Sequence, residues 1–231
     1  MRLLSIAASV CLLAVGSTAE AADVAAPSPE GTAFQTPPPD PSRKADAVLV
    51  FAGALSTRNM GSSANFDMHW PIGPNYDNYI VGAAYNHDFY SLYGFAIGGE
   101  VGLADRFGYF LQCCEPVIKS SSMINSPEIW FGSRFSFDGL TLFNTFRIGG
   151  GMTFGFSFTG DSIGVERGRE IVKNGSARVL GYLGPEIFFA LADHPEWEIV
   201  YRLHHRSGAN GTFGHMGEGY NANVLGVRYR F

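Results

Sequence analysis

The sequence has no apolar run long enough to cross a bilayer as a helix, which takes roughly 20 residues. The run from Leu3 to Val15 falls short of that, and every later stretch is broken by charge, Gly or Pro. A helical membrane anchor is therefore not expected. Cysteine is almost as scarce, with 3 in 231 residues. Cys11 lies too deep in the apolar run to be a lipoprotein acylation site, which leaves the neighbours Cys113 and Cys114 and excludes a disulfide framework. A bond between the two and a pair of free thiols are equally compatible with the sequence. Charge is also thin, at 16% with a net of −5, so a nucleic-acid partner is disfavoured. A hydrophobic content of 46% excludes a disordered chain and suits one sizeable domain. No metal-ligand spacing is recognisable: the one acid near His204, His205 and His215 is Glu218.

What is present divides into three parts. Residues 1–21 read as a secretory signal peptide, with Arg2, the apolar run and small residues up to Ala21 in that order. Arg2 and Glu20 offset each other, so the mature chain keeps the same net charge. Residues 22–45, with Pro27, Pro29 and the cluster Pro37 to Pro41, read as a Pro-rich periplasmic linker. Residues 46–231 then show apolar side chains at every second position, the period of strands rather than helices. Along 139–158, for example, Leu140, Leu142, Phe146, Ile148, Met152, Phe154, Phe156 and Phe158 share one parity.

Strands are expected near 47–56, 77–87, 93–105, 126–136, 139–158, 177–190, 196–207 and 219–231. Long connections (57–76, 106–125, 159–176, 208–218) alternate with short ones. That rhythm belongs to outer-membrane barrels, whose periplasmic turns are short and outer loops long. Leu225, Val227, Tyr229 and Phe231 alternate with Gly226, Arg228 and Arg230 at the chain end, as in the terminal signature of such barrels. Glu100, Glu128, Glu186 and Glu198, with Arg134, Arg147, Arg178 and Arg202, fall on the opposite parity and predict a lumen filled with ion pairs rather than an open pore. Trp197, Tyr79, Tyr85, Tyr201 and Tyr229 suit the boundary between lipid and water. The expected fold class is all-β, an eight-stranded antiparallel transmembrane β-barrel secreted through the periplasm to the bacterial cell outer membrane.

The seventh strand carries the residues with chemistry. Trp197, Ile199, Tyr201 and Leu203 set its lipid-facing parity, and His205 and Ser207 continue it. Side chains at i and i+2 of a strand stand on one face, where an imidazole can accept a serine proton. Glu218, across the last loop, is the candidate third group that stabilises the imidazolium. Counting back from Phe231 puts the outward positions on odd numbers, so Glu218 joins this face only through irregular backbone among Gly217, Glu218 and Gly219. His204 and Arg206 point inward as partners of lumen carboxylates such as Glu198. His215, in the last loop, is a lower-ranked alternative base.

The block from Leu203 to Gly211, continued through Gly217-Glu218 to Arg228-Tyr229-Arg230-Phe231, resembles the end of the PagL-type lipid A 3-O-deacylase (acyloxyacyl hydrolase) family of outer-membrane barrels. The resemblance covers about the last thirty residues and implies Ser207, His205 and Glu218 as catalytic residues, lipid A of lipopolysaccharide as substrate, and hydrolysis of an ester-linked acyl chain without cofactor or metal. The family has Asn directly after the serine, where this chain has Gly208. Oxyanion and substrate binding would then fall to backbone N–H groups from Gly208 onward or to the side chain of Asn210. A homodimer is compatible with the sequence. A different class of function, a non-catalytic surface barrel with a structural or adhesive role, has the same first 200 residues.

Overall fold

The computed structural model describes residues 34–35, 44–60, 78–113, 118–120 and 122–231. The predicted signal peptide, most of the predicted linker, and Cys114 lie outside them. Among the described residues eight long strands occur: β1 (Asp46–Ser56), β2 (Asn78–Leu92), β3 (Phe95–Tyr109), β4 (Met123–Leu142), β5 (Phe146–Thr159), β6 (Val179–Leu191), β7 (His194–Ser207) and β8 (Glu218–Arg230). Each pairs antiparallel with its chain neighbour, and β8 pairs with β1, so the sheet closes into a barrel. Within the linker range, Phe34–Gln35 forms a short strand against Thr141 and Leu142. Among the described residues no helix is long and apolar enough to cross a membrane; the strands make the crossing, each being at least as long as the 9–11 residues a tilted strand needs.

Alternation decides which side chains meet lipid. Val50, Leu103, Ile129, Ile187, Ile199 and Val227 point outward and are 57%, 66%, 50%, 39%, 56% and 48% exposed. A closed apolar belt of this kind is stable only against hydrocarbon, since in water it would be one continuous sticky surface. Trp197 and Tyr229 face each other across β7 and β8 with ring centroids 4.6 Å apart, at the end of the barrel that holds the chain terminus. The tight turns lie at that same end. Tyr93 and Gly94 (φ 51° and 79°) join β2 to β3 with both central residues left-handed, matching the twist of a hairpin.

One hairpin departs from the sequence reading. The expected break at 137–138 is absent and β4 runs on to Leu142, turning at 143–145 instead. Asp138-Gly139 is a turn-like pair, but it forms a bulge between Phe137 and Leu140. Gly139 has φ 95°, and a Cβ there would lie 1.7 Å from the carbonyl oxygen of Ile148. The bulge shifts parity, which is why 139–158 reads as one continuous alternation although it spans two strands.

The lumen is an ion-pair core. Arg202 grips Glu100 with both terminal nitrogens (2.8 and 2.7 Å) and reaches Glu186 at 2.6 Å. Glu186 also receives Arg134 and Arg228, each at 2.5 Å, and Glu198 receives Arg228 and Arg230, each at 2.8 Å. Burying one such ion costs several kcal/mol unless partners compensate it, and every one of these carboxylates has two or more cations or donors. Arg178 departs from expectation: it is exposed and lies just before β6. His204 and Arg206 do face inward, yet their partners are Glu128 and Glu166 rather than Glu198.

The expected loop 159–176 contains a helix, α1 (Gly164–Lys173), closed by left-handed Asn174 (φ 49°). Glu166 from its first turn is fully buried between Arg106 (2.7 Å) and Arg206. The loop thus plugs the outer mouth of the barrel.

The loop is itself tied by Glu170, which accepts the Ala177 N–H at 2.7 Å, the Arg167 guanidinium at 2.8 Å and the Ser162 hydroxyl. Burial pushes this carboxyl up, but the three donors outweigh burial and hold it below the usual carboxylate value of 4.5. A carboxyl depressed on folding contributes stability above its unfolded pKa and loses it as pH falls through the folded one. Amide protection across 160–178, taken relative to the intrinsic exchange rate at each pH, is therefore expected to fall as pH drops below about 4.5, and Glu170→Gln to flatten that acid response. An acid response equal in wild type and variant would contradict this role.

Candidate functional site

His205 and Ser207 stand on the outer wall of β7, at the end of the barrel where the long loops gather. His205 is not open to lipid, being only 5% exposed. Its Nδ1 donates to Oδ1 of Asn221, the residue directly across on β8, at 2.6 Å. An amide oxygen can only accept, so this contact places the proton on Nδ1 and leaves Nε2 as the basic nitrogen. Asn221 is fully buried, and its Nδ2 donates to the Arg58 carbonyl at 2.8 Å. Asn221 lies on the outward parity when counted back from Phe231. It carries no signal in the sequence as a histidine partner, since that role usually falls to a carboxylate.

The register then shifts. His205 pairs with Asn221 but Ser207 pairs with Glu218, so Gly219 and Tyr220 together oppose Arg206. This bulge brings the carboxylate of Glu218 onto the face of Ser207, and it is the irregular backbone that the glycines around Glu218 were expected to allow. Tyr220 turns inward, where its hydroxyl donates to Glu128. Gly219 fits there because a Cβ would lie 2.6 Å from Leu180.

Glu218 does not bond His205. Its Oε1 accepts the Met60 N–H at 3.0 Å, and its Oε2 lies 3.7 Å from Arg169 with no hydrogen bond of its own among the described residues. Ser207 does not bond His205 either: its hydroxyl donates to the Gly217 carbonyl at 3.3 Å and accepts the Ala209 N–H at 3.1 Å. His215 is exposed in the loop with φ 56° and takes no part.

Of the two expected oxyanion groups, Gly208 has its N–H committed to the Gly217 carbonyl at 2.7 Å. A Cβ at Gly208 would lie 2.1 Å from the Met216 carbonyl oxygen, so this loop has no room for a side chain at that position. The chain then passes through left-handed Ala209 (φ 48°) and Asn210 (φ 57°), a strained pair of the kind found at binding sites. Asn210 lines a surface pocket of about 410 Å³ with Ser207, Gly217, Glu218, Asn59, Arg169 and Lys173. The last three were not singled out from the sequence, since only the folding of two distant loops brings them to the rim. Arg169 joins those loops by donating to the Gly219 carbonyl (2.8 Å), the Thr57 carbonyl (3.3 Å) and Asn59 Oδ1 (3.2 Å).

A closed eight-stranded barrel with an apolar belt, an ion-paired lumen, short turns at one end and long loops at the other is an outer-membrane β-barrel. No protein-family model matches the chain, and no curated protein does. Solved structures similar to it include the outer membrane enzyme PagL, at 10% identity and a TM-score of 0.45, covering 80% of this chain and 99% of that one. Ail, the attachment invasion locus protein of Yersinia pestis, is similar at 12% identity and a TM-score of 0.35, covering 81% and 99%. The backbone structure of Ail in phospholipid bilayer nanodiscs gives 13% and 0.39 over 81% and 99%.

Proposed function

We propose that the chain, after loss of residues 1–21, is an outer-membrane serine esterase that removes the 3-O-linked acyl chain of lipid A. The observation that carries this reading is the Nδ1–H bond of His205 to buried Asn221, which prepares Nε2 as a base two residues from a serine that opens on a polar pocket. The position on the outer wall at the long-loop end suits an ester held in the outer leaflet. Resemblance of the last thirty residues to the PagL-type deacylases supplies the substrate.

In this mechanism Ser207 exchanges its Gly217 acceptor for His205 and attacks the ester carbonyl as its proton passes to Nε2. That proton then goes to the departing sugar alkoxide, and water hydrolyses the acyl-serine by the same route. Asn221 holds the tautomer, Glu218 stabilises the imidazolium, and the Asn210 amide is the donor available to the oxyanion. Catalytic hydrogen bonds commonly tighten only when substrate binds. The test is mass spectrometry of lipid A incubated with the purified barrel in detergent, where loss of one hydroxyacyl chain is expected.

The resting bond of Ser207 to the Gly217 carbonyl favours one other reading, a non-catalytic surface barrel. On that reading lipid A keeps its mass.

A further inference from the structure

The pocket beside Ser207 holds two cations that ester hydrolysis does not require. Arg169 and Lys173 stand four residues apart on α1, hence on one face of the helix, and both line the pocket with Ser207, Asn210 and Glu218. Lys173 is exposed and has no hydrogen bond or ion pair among the described residues. Arg169 is pinned to the rim by two backbone carbonyls and Asn59, so its guanidinium is held in place before any ligand arrives. Among the described residues Glu218 is the one carboxylate on the lining, 3.7 Å from Arg169. Two cations against one carboxylate leave the described lining positive within a chain of net charge −5. Asn210, Asn59 and the Ser207 hydroxyl add neutral donors.

We infer that Arg169 and Lys173 form a binding subsite for a phosphomonoester. A phosphate dianion offers charge for both cations and several acceptor oxygens for the surrounding donors. Delivery of the ligand's ester to Ser207 rests on the deacylase reading; the binding itself does not.

The experiment uses the Ser207→Ala barrel in zwitterionic detergent, so that turnover does not intrude. It is titrated calorimetrically with inorganic phosphate, with bis-phosphorylated lipid A and with lipid A stripped of phosphate. Phosphorylated lipid A is expected to bind at least about tenfold more tightly than the stripped form, and Lys173→Gln or Lys173→Glu to remove most of that difference. Binding of inorganic phosphate that is lost in the Lys173 variants would support the same subsite with a soluble source of the group. Equal affinity for the two lipids with no phosphate binding, or affinities untouched by either Lys173 variant, would overturn the proposal. Because Ser207→Ala binds without hydrolysing, a failure of the esterase reading leaves this result standing, and the reverse also holds.

Discussion

Ser207→Ala is expected to stop removal of the acyl chain, a fall on the order of 10⁴-fold or more, because the nucleophile and its base act as a unit. Asn221→Ala should lower kcat by about 10² to 10⁴-fold with little change in KM, since it leaves the substrate pocket intact and frees the imidazole to take the wrong tautomer. Asn221→Asp should recover much of that loss, as a carboxylate accepts the same Nδ1–H. A purely structural role for Asn221 would depress folding in both variants alike and show no such rescue. The two variants together separate positioning from chemistry: hydrolysis that persists in Ser207→Ala would remove the serine mechanism, whereas full activity in Asn221→Ala would remove only the assignment of what holds His205.

The largest stability effect belongs to the lumen. Arg202→Ala is expected to cost about 3–5 kcal/mol, because it leaves Glu100 buried without a cation. Glu100 would keep only the Asn86 amide at 2.6 Å and the Trp130 indole N–H at 2.8 Å, whereas Glu186 would retain Arg134 and Arg228. Guanidinium unfolding in detergent, followed by tryptophan fluorescence, measures the change. Adding Glu100→Leu to Arg202→Met should restore most of the loss, since replacing both ions of a buried pair by well-packed apolar groups is often near neutral. A cost below about 1 kcal/mol for Arg202→Ala would mean that water reaches this part of the lumen.

The barrel was legible in the sequence because lipid outside and ion pairs inside force strict alternation, and because long and short connections alternate. The 143–145 turn was not, since a bulge at Gly139 restarts the alternation in a phase that hides the hairpin. Helix α1 was hidden for another reason: Gly164 and Gly168 weaken its propensity, and what holds it is the tertiary contact of Glu166 with two arginines from other strands. In the site, His205 and Ser207 follow from parity on one strand. Asn221 was equally accessible to parity. Arg169, Lys173 and Asn59 were not, because nothing local records which loops meet at the rim.

The extra residue in β8 separates two inheritances. Below it, the alternation that pairs the lumen ions continues from Ala222 to Arg230 regardless of what lies above; above it, one inserted position decides whether a carboxylate or a glycine stands beside the serine. A single-codon change in length at this edge would therefore exchange the carboxylate beside Ser207 for a glycine, with the membrane-spanning body unaltered.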